Sequence, residues 1–302
     1  MTQNPKINGR SAATMMVAAM AVIGVIDNYI AVISQDVSIW QFMIVRGAFA
    51  LPIIIMLSFL GLGTMRPIRT WAVGIRSLLI AISMLFYFGS LSFMPIAQGL
   101  AGLFTSPIFI LIITAFILKE RIGPVRILAV GLGFVGIILV LELEASSLSW
   151  VNFIPVFGGL FYALGSVATR QLCDGESTVS LLSMLLTIQC IMGFCALVIL
   201  SIYGPDVPYG SDGFLLRGWI WPITEVLPYI VLQSVGSILG IGLIIRAYQI
   251  GDASYVAVYE YSVFVFAPLY AWLMFSQDMT LVQASGIALI AGAGVLITLR
   301  ST

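Results

Sequence analysis

"FILIITAFILKERIGPVRILAVGLGFVGIILVL", residues 109–141, is two apolar runs joined by a basic hairpin. "APLYAWLMFSQDMTLVQASGIALIAGAGVLITL", residues 267–299, aligns with it without a gap, so that Glu120 meets Asp278 and Gly136 meets Gly294. Both read as apolar span, acidic hairpin, glycine-rich span. A helix needs about 20 apolar residues to cross the hydrocarbon core. The first hairpin, "KERIGPVR", carries cations, and the second, "SQDMT", carries none. Cations gather on the cytoplasmic side of a membrane, so the two hairpins are expected on opposite faces. Copies of opposite orientation are a transporter signature, with the substrate site near the midplane between them.

The rest of the chain agrees. Of 302 residues, 61% are hydrophobic and 9% are charged, where a soluble domain is about a quarter charged. Runs long enough to span fall near 11–33, 39–61, 70–92, 94–118, 125–143, 150–172, 178–203, 225–249, 252–275 and 280–299. The expected fold is an all-α integral membrane protein: ten transmembrane helices in two inverted five-helix repeats, 1–143 and 144–302, around a central cavity. With the N-terminus in the cytoplasm, ten Lys and Arg fall in inner segments and only Arg217 in an outer one. Both termini are therefore expected inside, in a multi-pass protein of a bacterial inner membrane. The six Trp fall near span ends, where indole prefers to sit.

Composition also narrows function. Net charge is zero, which offers no field for nucleic acid, and there is no His. That removes the commonest general base and metal ligand. Cys173, Cys190 and Cys195 form no CxxC pair. No metal or cofactor is expected, and an enzyme is disfavoured. Gly131, Gly133, Gly136, Gly286, Gly292 and Gly294 suit close helix packing, within the monomer or at a homodimer seam. Pro52, Pro107, Pro155, Pro228 and Pro268 are expected to interrupt spans.

"TSPIFILIITAFILKERIGPVRILAVGLGFVGIILVLE", "VRGAFALP", "GIRSLL", "ATRQLCDGES" and "YEYSVFVFAPLYAWLMFSQDMTLVQASGIALIAGAGVLI" together resemble the drug/metabolite transporter superfamily, in its EamA-domain branch. The chain departs from the branch's usual Phe-Gly-Glu at Phe275-Ser276-Gln277, with Asp278 one place later. The resemblance implies a cavity lined by spans 1, 3, 4, 6, 8 and 9, and secondary active transport without ATP. The sequence has no P-loop, which fits.

Ionisable groups inside the membrane are costly and face a cavity or a partner. Asp27, Arg46, Arg76 and Glu260 are such groups. Depth along the helices matches Asp27 with Arg46 and Arg76 with Glu260, so two ion pairs are expected. Arg46 reads as a gate or structural ion pair. Asp27 with Asn28, Arg76, and Glu260 between Tyr259 and Tyr261 read as substrate-binding, with Glu260 the candidate proton or ammonium site. Tyr87, Gln98, Tyr162, Gln233 and Ser237 complete the candidate cavity, and Ser166 stands beside Tyr162 on span 6.

The expected function is transport of a small polar, zwitterionic metabolite such as an amino acid by alternating access, with export as the commoner direction and H+ as the candidate coupling ion. Import of a vitamin or nucleoside-like metabolite is the alternative. A channel or an embedded lipid-modifying enzyme is the alternative of another class. The expected partners are the small-molecule metabolite and membrane lipid.

Overall fold

The computed structural model describes residues 9–90, 94, 96–142, 150–204, 207, 210, 213–275 and 280–300. Helices account for the regular structure among them. Span 1 is α1 (Gly9–Asp27) and α2 (Ile30–Asp36), span 2 is α3 (Ile39–Phe59) and span 3 is α4 (Thr70–Ser90). Span 4 is α5 (Ile96–Leu103), α6 (Ser106–Ile112) and a π-turn at Ile113–Ile117; span 5 is α7 (Pro124–Val140). Spans 6, 7 and 8 are α8 (Ile154–Leu172), α9 (Thr178–Tyr203) and α10 (Leu227–Ile250). Span 9 is α11 (Ala253–Val256), a 3-10 stretch (Ala257–Ser262) and α12 (Val263–Phe275), and span 10 is α13 (Leu281–Arg300). Eight of the ten are long and apolar enough to cross a bilayer. Of the others, α7 is shorter, at 17 residues, and α8 carries Arg170 in its last turn.

Local chemistry sets the helix ends. Ser38 and Ser177 cap α3 and α9, their hydroxyls accepting from Gln41 N and Val179 N, a stabilising use of a short polar side chain. Pro107, Pro155 and Pro228 sit in the first turns of α6, α8 and α10. There the missing N–H costs nothing, so they start helices. Pro52 and Pro268 lie inside α3 and α12, which run on past them. The expectation that all five interrupt spans is thus corrected for four of them; Pro107 alone lies at a break inside its span, opening α6 after Phe104–Thr105.

The other interruptions fall away from proline, and the break before Pro107 has a second local cause. Span 1 breaks after Asp27, where Asn28 Nδ2 donates to Gly24 O at 2.6 Å and to Ala267 O at 3.4 Å; such bonding competes with the helix ladder. Span 4 breaks at Phe104–Thr105, with Thr105 Oγ1 donating to Gly102 O at 2.7 Å. Span 9 changes from 3-10 to α after Ser262, the residue that the repeat alignment places opposite Phe104. The two breaks meet: the Phe104 and Phe264 rings stand edge to face, 4.8 Å apart.

The most extensive helix packings are α4 on α8, α7 on α13, α1 on α10 and α3 on α9. Exchanging span k with span k + 5 turns the first of these into the third and leaves the other two unchanged, as a two-fold relation between halves requires. Gly136 and Gly286 allow α7 and α13 to touch, and Gly133 makes room for Tyr261. Large apolar side chains such as Phe59, Phe116, Phe194 and Leu299 face outward, as lipid contact demands.

Polar clasps close one end. The Glu176 carboxylate accepts from Ile68 N at 2.9 Å and Arg69 N at 2.6 Å, tying the 6–7 turn to the 2–3 turn. Arg126 Nη1 donates to Asp252 Oδ2 and to Ser254 Oγ, each at 2.7 Å. Burial would raise the Asp252 carboxyl, but the Arg126 guanidinium and Ser254 hold it below the usual carboxylate range.

Candidate functional site

A cavity of about 110 Å³ lies between the halves. Asp27, at the end of α1, and Gln233 of α10 share one wall; Gln233 bonds the carboxylate and donates Nε2 to Ile26 O at 2.7 Å. Arg76 of α4 lies on another wall, 3% exposed, with Nε donating to Thr169 Oγ1 at 2.9 Å. Among the described residues its Nη1 has no hydrogen-bond partner. Arg46 of α3 also lines the cavity. It donates Nη2 to Gln189 Oε1 and lies over the Phe42 ring, 5.0 Å from its centroid. Tyr87, Phe88, Phe104 and Tyr162 supply aromatic surface, and Ser106, Ser166 and Ser237 supply hydroxyls.

Asp27, Arg46, Arg76, Tyr87, Tyr162, Gln233 and Ser237, all singled out from the sequence, therefore meet around one space. Neither expected ion pair forms. Asp27 and Arg46 share the cavity and feel each other's charge, but Arg46 bonds Gln189 and Asp27 bonds Gln233. Glu260 is held by Tyr248, Tyr162 and Ser106, and Arg76 by Thr169. Hydroxyl and amide groups on neighbouring helices outcompete the distant opposite charge.

Other residues stand apart from the cavity. Asn28 is spent on the span 1 break. Tyr259 points away, its hydroxyl bonded to Tyr255 at 3.0 Å and Thr298 at 2.7 Å. Tyr261 packs on α7 at Gly133. Glu260 itself lies behind the wall, and among the described residues span 9 contributes none to the lining, whereas spans 2 and 7 do, through Arg46 and Gln189. The side chain of Gln98, like the acid Asp278, lies outside what the structure describes. The sequence reading missed Gln189, Thr169 and Tyr248. Gln189 had a legible signal, a lone amide in the apolar run "LLTIQCIMG".

The model of the EamA-like transporter family matches residues 10–142 and again 149–299. The chain belongs to that family. This EamA-like protein is a multi-pass membrane transporter of the drug/metabolite type, and not an enzyme. It is 26% identical over 264 residues to a riboflavin transporter of Rhizobium johnstonii, covering 87% of this chain and 80% of that one. It is 28% identical to a riboflavin transporter of Vibrio cholerae, covering 75% and 72%. A Rickettsia bellii protein described as an S-adenosylmethionine uptake transporter is 23% identical, covering 72% and 69%. A solved crystal structure superposes with a TM-score of 0.74 at 16% identity, covering 97% of the EamA-like chain and 98% of its own, and shares its fold.

Proposed function

We propose that this transporter takes up a flat, hydrogen-bonding metabolite of the riboflavin kind by alternating access. The observation that carries the reading is the cavity's mixture of aromatic walls, two amides and two guanidiniums without carboxylate contacts. Aromatic faces stack on a heteroaromatic ring, while Gln189, Gln233, Arg46 and Arg76 offer donors to ring carbonyls and ribityl oxygens. The Rhizobium and Vibrio relatives, both described as riboflavin transporters, support the same class. Import therefore stands ahead of amino-acid export. Ligand pockets usually measure about 300–1,000 Å³, so a cavity of about 110 Å³ must widen to load such a molecule. The breaks in spans 1 and 4 lie beside it, where the helices could hinge.

A second reading is a zwitterion. Asp27 and Arg76 put opposite charges on one cavity, and the Rickettsia relative is described as taking up S-adenosylmethionine. Proteoliposomes separate the two. Labelled riboflavin should exchange in counterflow, with unlabelled riboflavin competing and S-adenosylmethionine and leucine failing to compete. Counterflow of S-adenosylmethionine without riboflavin counterflow would exchange the first reading for the second. The excess of cations in inner segments supports an inner-membrane protein with both termini cytoplasmic, which terminal reporter fusions test.

A further inference from the structure

Glu260 is 1% exposed and sits on the 3-10 stretch of span 9. Its Oε1 accepts from the Tyr248 hydroxyl at 2.6 Å and its Oε2 from Ser106 Oγ at 3.4 Å. The Tyr162 hydroxyl reaches it as well. All three donors line the central cavity. The carboxyl is therefore one side chain removed from the substrate space, and the described groups that donate to it are hydroxyls on the cavity wall.

No described Lys or Arg forms an ion pair with it. A buried carboxylate without a counterion is costly, and inside membranes such acids mark proton pathways. Three hydroxyls can donate to the ionised form. On protonation the carboxyl itself becomes a donor, and one hydroxyl must turn to accept. Ser106 opens α6 just beyond the span 4 break, so this exchange falls where the broken spans of the two halves touch.

The titratable groups facing Glu260 are Tyr248 from α10, Tyr162 from α8 and Tyr261 on its own stretch. Arg76 acts on Tyr162 from the far side. The elements packed on the 3-10 stretch are α1, α6, α7, α11, α12 and α13. Their charged residues with described side chains are Arg10, Asp27 and Arg126, and none of these three is among the groups that act on the Glu260 carboxyl.

We infer that Glu260 is a proton-binding site, loaded from the cavity through Tyr162 and Tyr248, whose occupancy couples transport to a proton gradient. The coupling, though not the proton site, rests on the transport reading above. One O–H bond forms on a carboxylate oxygen at loading and the same bond breaks at release, so no other reactant is needed.

Two measurements test it. In infrared pH-difference spectra of the purified protein, a carboxylic C=O band should vanish in Glu260→Gln, shift in Tyr248→Phe and persist in Asp27→Asn. A band unchanged in Glu260→Gln, or unmoved in a folded Tyr248→Phe, overturns the site. In proteoliposomes with an acid exterior, the wild type should concentrate labelled riboflavin, while Glu260→Gln keeps counterflow and its inside-to-outside ratio falls to unity. Wild-type concentration by Glu260→Gln overturns the coupling. Absence of riboflavin counterflow in the wild type overturns the substrate reading instead, and the infrared result still decides the proton site.

Discussion

Gly136 of α7 and Gly286 of α13 lie against each other so closely that a Cβ on either would come within 2.8 Å of the other's carbonyl oxygen. The obstruction is backbone, which cannot swing aside. Gly136→Leu or Gly286→Leu should destabilise the protein by about 1–3 kcal/mol, the usual cost of overpacking. Gly131→Leu, where a Cβ meets nothing within 4 Å, should leave thermal unfolding in detergent nearly unchanged. Equal losses at all three positions would contradict the packing.

The Arg126–Asp252 pair makes a pH-dependent clasp. Asp252 is held below its ordinary value by Arg126 and Ser254, against the opposing effect of burial. A depressed carboxylate contributes stability that is complete above its unfolded pKa of about 4 and is lost as pH falls through the folded value. Melting temperature should therefore drop between about pH 5 and pH 3 more steeply in the wild type than in Asp252→Asn. Asp252→Ala also removes the cap on Ser254 N and should cost about 1 kcal/mol near neutral pH.

Arg76 offers an unpartnered Nη1 to the cavity while Thr169 fixes its Nε. A lysine keeps the charge but loses the planar fork. Arg76→Lys should weaken riboflavin counterflow on the order of tenfold, about the value of one good hydrogen bond to a charged donor. Thr169→Val should produce a smaller loss, by freeing the guanidinium to reorient. Unchanged transport in Arg76→Lys would remove this residue from the substrate site.

Tyr259 and Tyr162 should separate cleanly. Tyr259→Phe loses bonds to Tyr255 and Thr298 on the side away from the cavity, so uptake should stay at the wild-type level. Tyr162→Ala removes an aromatic wall of the cavity and should cut counterflow about two- to tenfold, since a stacked aromatic contact is worth about 0.5–1.5 kcal/mol beyond its area.

The sequence revealed the spans because twenty-residue apolar runs have few other uses, and it revealed the repeat because hairpin charge reports sidedness. It also singled out Asp27, Arg46, Arg76 and Glu260, because ions in lipid need a reason. It failed on their partners. Counting residues gives depth along a helix but neither its rotation nor the identity of what stands opposite. Gln189 and Tyr248 took the places that matching charges were expected to fill. Tyr259 and Tyr261 failed for a local reason: in a 3-10 stretch successive side chains point about 120° apart, so flanking Glu260 in sequence carries them away from what Glu260 faces.

The four strongest helix packings each join a helix of the first half to one of the second. A sequence repeat is therefore not a unit that can mature alone. When the ribosome has completed Val140, α1, α3, α4 and α7 still await α10, α9, α8 and α13, so the nascent half must be held in the bilayer with its partner surfaces bare. Coexpressed as separate polypeptides, the halves would find each other by the same contacts, and either one made alone would be left for the cell's proteases.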